Sequence, residues 1–180
     1  IGAIAMLSEK VKPLLSGIER ADSVALDLHK WMHIPFEAGC ILLKNNENHL
    51  TSFSLTPEYL AHETRGLPGG HLWFSDYGIQ LSRQFRALKI WMSVKEHGLK
   101  RFGRMIDRNI EQANYFADLV KKNLQMELVA PIGLDIVCFR FNPGGIDEKN
   151  LNALNKEILM QLHERGIAVP SYTTLNGRYC

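Results

Sequence analysis

Asp27-Leu28-His29-Lys30-Trp31 brings a carboxylate, an imidazole and an amine together at the exit of a short apolar run, Ser23-Val24-Ala25-Leu26. A lysine that follows a buried strand is costly unless its charge is paired or neutralised. A desolvated lysine sheds its proton more readily and becomes a nucleophilic amine, able to form a Schiff base with a carbonyl compound. The same placement also suits a lysine that ends a strand and extends its ammonium into water. A second place with chemical potential is residues 56–76, rich in Gly, Pro, His and aromatic side chains and carrying Tyr59, His62 and His71. A segment of that length without clear periodicity is uncommon unless it works as a lid or binding loop.

The elements that would position these groups are legible from pattern. Residues 22–27 and 38–44 read as strands, both apolar enough to be buried on two faces. A helix is expected over residues 8–16, with Ser8 as its cap and Gly17 just past its end. Asn45-Asn46-Glu47-Asn48 reads as a turn. Leu81, Phe85, Leu88 and Met92 mark one amphipathic helix over 81–97, and Phe102, Ile106, Ile110, Ala113, Ala117, Val120 and Leu124 mark another. Strands follow at 127–130 and 135–141, a helix from Ile146 to Leu162 closed by Gly166, and strands at 169–174 and 178–180. The order fits an α/β class: the end of a sheet domain over 1–88, then a small α+β domain over 89–180.

Composition narrows the function. The chain has 180 residues, 46% of them hydrophobic and 22% charged, with a net charge of +2. That balance is ordinary for a soluble globular protein and gives no case for nucleic acid. Basic residues crowd between Arg83 and Arg108, but at helical spacing, as on a solvated helix face. Cys40, Cys138 and Cys180 are far apart with no CxxC or Cys/His spacing, so no metal site is expected. Cys40 and Cys138 lie in apolar runs and read as buried thiols of a reducing compartment, the cytoplasm. No apolar stretch approaches the length of a membrane span and no secretory leader is visible. The chain opens in mid-pattern at Ile1-Gly2-Ala3 and stops inside a strand-like run, so it is expected to be the C-terminal part of a larger subunit.

Three segments carry a resemblance. Ala21-Asp22-Ser23 with His29-Lys30-Trp31 resembles the cofactor-lysine segment of the pyridoxal-phosphate-dependent group II decarboxylases of aromatic amino acids, glutamate and histidine. Leu55-Thr56-Pro57-Glu58-Tyr59-Leu60 resembles that family's mobile catalytic loop, and the run from Tyr77 to Trp91 resembles its downstream signature. The motifs fall in the family's order and cover residues 3–142.

The resemblance implies the aspartate-aminotransferase-like fold (fold type I) and a homodimer whose partner completes each site. It implies pyridoxal 5'-phosphate held by Lys30 as an aldimine, with the α-carboxylate of an L-amino acid lost and the carbanion absorbed by the cofactor ring. Tyr59 would then protonate the quinonoid as general acid. His29 would lie against the cofactor phosphate or substrate carboxylate; otherwise it is a histidine satisfied by a backbone carbonyl. Asp27 stands where many relatives carry Asn, close to the phosphate, and either contacts the cofactor or turns away to cap the turn. Phe36, Leu81 and Ser82 would line the substrate side-chain pocket. Ser82 in place of glycine leans towards phenolic or smaller substrates. A same-fold transaminase or lyase, a glutamate-type decarboxylase and a catalytically silent interaction domain are the rival readings. The piece alone is expected to be inactive.

Overall fold

Pro13 shapes the first segment. Proline lacks an amide donor and disrupts a helix interior, so the helix expected over 8–16 is replaced by a short 3-10 turn at Lys12–Leu15, between 3-10 segments at Gly2–Leu7 and Ile18–Arg20. The structure is a computed structural model and describes residues 2–54, 63–66, 69–70 and 73–180. The chain divides into two compact units, Ile1–Arg104 and Met105–Cys180.

In the first unit, β1 (Ser23–Asp27) and β2 (Gly39–Leu43) pair antiparallel, with Ser23 opposite Leu43 and Asp27 opposite Gly39. A single helical turn, α1 (Leu28–Trp31), follows β1 at once. The 3-10 segment Gly2–Leu7 packs against β1 and buries Ile4 and Ala5. The expected burial of both strands on two faces is not found: Ile41, Leu42 and Leu43 are exposed. Among the described residues each strand pairs only with the other, so no further strand or layer covers β2. Cys40 is correspondingly half-buried rather than buried.

The turn expected at 45–48 is instead the start of α2 (Asn46–Phe53). Asn45 explains the difference: its Oδ1 accepts the Asn48 amide at 2.9 Å, a good N-cap bond. Tyr77 closes over this helix, its ring edge-on to His49 with centroids 5.2 Å apart.

α3 (Arg86–His97) starts five residues later than the apolar spacing suggests, leaving 81–85 outside the helix. Leu88, Trp91 and Met92 on α3 are exposed. Gly98, at φ 72°, separates α3 from α4 (Leu99–Lys122). The basic residues behave as expected of a solvated face, with Lys95, Lys100, Arg101, Arg104 and Arg108 all exposed.

The second unit is built on the later part of α4. Ile106, Ala113, Ala117 and Val120 recur at helical spacing and are buried. β3 (Met126–Leu128) and β4 (Phe139–Phe141) pair antiparallel, and Phe139 meets Phe116 of α4 edge-on at 4.9 Å. Both strands are shorter than expected, and Cys138, just outside β4, is only half-buried. α5 (Glu148–Glu164) is capped by Asp147, whose side chain accepts the Asn150 amide at 3.1 Å.

Two asparagines fix α5 to its neighbours. Asn155 accepts from the Phe141 amide and donates to the Phe141 carbonyl, both at 2.8 Å. Asn152 clasps the hairpin of β5 (Thr174–Leu175) and β6 (Arg178–Tyr179) through Gly177 O and the Tyr179 amide, each at 2.7 Å. Arg140 is buried and answered by Glu127 at 2.9 Å and Glu148 at 2.5 Å. No described helix is long and apolar enough to cross a membrane.

Gly103 packs tightly against the chain: a methyl group there would run into the carbonyl of Leu7. Gly103→Ala gains about 1 kcal/mol of helix propensity, but overpacking against backbone typically costs about 1–3 kcal/mol. The clash should win, and denaturant unfolding should show a lowered midpoint at unchanged slope.

Candidate active site

The amine is positioned by backbone bonds on both sides of it. The Leu28 amide donates to Ala38 O at 2.8 Å, extending the β1–β2 ladder by one step. The Ile34 amide donates to Leu28 O at 3.2 Å, folding the chain back beneath α1. Leu28, Trp31, Met32, Ile34 and Ala38 are all buried and anchor this turn. Lys30 stands on its outer side, with its side chain 47% exposed. The desolvated lysine considered from sequence is therefore not the arrangement found: the turn buries Leu28 and Trp31, and the position between them faces outward.

Lys30 is paired instead of desolvated. Its Nζ lies 2.5 Å from Asp27 Oδ2. The hydrogen bond from Lys30 holds the Asp27 carboxyl below the usual carboxylate range. Asp27 occupies the cap position of α1 but makes no cap bond with its side chain. Its partner is the lysine.

His29 is oriented by the same turn. Its Nδ1 accepts the Ala38 amide at 3.0 Å, which leaves the ring proton on Nε2. The ring also meets Phe36 edge-on, with centroids 4.9 Å apart. A backbone bond thus satisfies one nitrogen, as the plainer reading expected in kind, though an amide rather than a carbonyl supplies it. The other nitrogen remains a donor for an anion.

Phe36 is 84% exposed, so its ring presents an open apolar surface beside His29. Leu81 and Ser82 lie, exposed, in the segment before α3. That segment connects to the lysine loop through Arg86, which pairs with Glu37 and also donates to Gln80 Oε1 at 3.4 Å. The guanidinium's hydrogen bond and charge lower the Glu37 carboxyl. Sequence reading missed this clamp: Glu37 and Arg86 are far apart in the chain, and no motif links them. Arg83 sits over the Phe74 ring, 5.3 Å from its centroid. Tyr59, His62 and His71 lie outside the described residues.

A shallow concavity of about 370 Å³ runs along the strand pair, with Asp27, Gly39 and Cys40 in its lining. Burial pushes the Cys40 thiol up, away from thiolate chemistry. Among the described residues no group of His, Cys, Asp and Glu is arranged to hold a metal. What the site offers is an accessible primary amine, a neutral N–H donor and an apolar wall.

Comparison with known proteins identifies the family. The family model described as the pyridoxal-dependent decarboxylase conserved domain matches residues 1–142. The chain belongs to this family. It is 39% identical to an aromatic-L-amino-acid decarboxylase of Bacillus atrophaeus over 178 residues, covering 98% of this chain and 37% of that protein. It is 32% identical to tyrosine decarboxylase 3 of Petroselinum crispum over 182 residues, covering 97% of this chain and 34% of that protein. The crystal structure of Oryza sativa TDC with PLP and tryptamine superposes with a TM-score of 0.90 at 27% identity, over 99% of this chain and 37% of that one. The chain therefore spans little more than a third of such decarboxylases, and its fold is that part of the fold type I architecture.

The tautomer of His29 is testable in this family member. Nitrogen-15 correlation spectra should show an unprotonated Nδ1 and a protonated Nε2. A proton resident on Nδ1 would contradict the Ala38 bond.

Proposed function

We propose that the protein containing this chain is a pyridoxal-phosphate-dependent carboxy-lyase that converts an aromatic L-amino acid to its amine and carbon dioxide. The observation that carries this reading is the family match over residues 1–142 combined with an accessible Lys30 at the β1–α1 junction. The names of the aromatic-amino-acid and tyrosine decarboxylases among its relatives supply the substrate class.

The residues present suit the cofactor. Lys30 supplies the primary amine that an aldehyde requires, and His29 supplies Nε2–H for an anionic group, whether phosphate or substrate carboxylate. When bound, pyridoxal phosphate accepts the electron pair left behind by the departing carboxylate. Phe36 offers the aromatic substrate a flat apolar partner. Leu81 and Ser82 would border the same side-chain slot, the hydroxymethyl of Ser82 narrowing it towards phenolic rings. Tyr59 would deliver a proton to the substrate Cα. A second subunit would complete the pocket. The free thiols at Cys40, Cys138 and Cys180 suit the reducing cytoplasm.

Three measurements test this reading. Full-length protein mixed with pyridoxal phosphate should develop the yellow imine absorption, and Lys30→Ala should abolish it; a colourless full-length protein favours a silent domain. A substrate panel on the same protein should yield amine and carbon dioxide from an aromatic amino acid, while residues 1–180 alone yield none. In Tyr59→Phe, amine should give way to aldehyde, ammonia and peroxide as dioxygen is consumed. Unchanged amine output would remove Tyr59 as the proton donor.

A further inference from the structure

Asp27 has a position and a partner that its place in the turn does not require. It sits where a helix cap belongs, yet its side chain makes no cap bond. Its Oδ2 is 2.5 Å from Lys30 Nζ, and both side chains are accessible, at 38% and 47%. His29 cannot share this work, because its Nδ1 is engaged by the Ala38 amide. Asp27 also lines the concavity along β1 and β2.

We propose that Asp27 is a positioning residue for Lys30, holding the ammonium at the end of α1 until an incoming aldehyde takes its place. The proposal rests on the reading of Lys30 as the cofactor lysine. An ammonium has no lone pair with which to attack. Before it reacts, Lys30 must leave Asp27 and give a proton to solvent. Its nitrogen then bonds to the aldehyde carbon, and the carbonyl oxygen departs as water as the C=N bond forms. The carboxylate thus sets how readily the amine is released, independently of what else the aldehyde carries. A carboxylate acting on the cofactor's phosphate would behave differently: it would repel only the phosphorylated form.

Two probes separate these roles. Full-length protein is freed of bound cofactor with hydroxylamine, then exposed to pyridoxal or to pyridoxal 5'-phosphate. Borohydride reduces the C=N bond to a secondary amine by adding hydride to carbon, and peptide mass mapping locates and counts the label. Asp27→Asn should speed labelling of Lys30 about two- to fivefold, the scale of releasing an exposed ion pair, and by the same factor with both probes. Asp27→Glu retains a carboxylate and should return both rates towards those of the parent protein. A gain seen only with the phosphorylated probe, or no gain with either, overturns the proposal. So does an Asp27→Glu variant that behaves like Asp27→Asn. If Lys30 of the parent protein takes no label from either probe, the cofactor-lysine reading itself fails, and this inference fails with it.

Discussion

Ala38 is the residue on which the geometry of the amine depends. Its carbonyl receives the Leu28 amide and its own amide is received by His29 Nδ1, so one residue fixes both the start of α1 and the imidazole beside the lysine. Ala38 is fully buried, which shields these bonds from competition with water. A larger side chain would have to displace the surrounding apolar residues to keep them. The active turn is therefore held by backbone and by a small packed cluster, not by the charged groups that surround it.

Those charged groups have a different quality. Lys30–Asp27 and Arg86–Glu37 are both solvent-accessible, and ion pairs of that kind contribute little to folding. Arg140, by contrast, is buried between Glu127 and Glu148, where removing one partner would strand a charge. Arg140 is thus held within the packed interior, while Lys30 and Arg86 keep their partners near the surface. Surface pairing of this kind suits the proposed release of the Lys30 amine without loosening the fold around it.

Much of this was legible from residue order. The run from β1 into His29-Lys30 could be read because apolar strand residues give way abruptly to polar ones, and the later part of α4 because its buried positions recur at helical spacing. Other features were hidden for identifiable reasons. Apolar β-branched and leucine-rich runs signal burial, but they do not say which part of a chain supplies the cover, so β2 was expected to be enclosed. Asn45 to Asn48 has the composition of a turn, and the Asn45–Asn48 bond that makes it a helix cap is not visible in composition. Sequence raised the chemical question about Asp27 without its answer, since an aspartate three residues before a lysine can cap, repel or pair. The Glu37–Arg86 clamp had no local signature at all.

The exposed apolar residues carry the last step of the argument. Ile41, Leu42 and Leu43 on β2, and Leu88, Trp91 and Met92 on α3, are open to solvent. Soluble proteins seldom leave such contiguous apolar surface uncovered. The decarboxylases that this chain matches are much longer than it is, with the chain spanning 37% of the Bacillus relative. A sheet edge ending in three apolar residues calls for neighbouring strands and a helical layer, and a lysine at the end of such a sheet gains an enclosed site only when they are present. The accessibility of Lys30 in this chain is thus compatible with the cofactor role proposed for it. The turn sets where the amine stands, and the cover over β2 decides how dry its surroundings become.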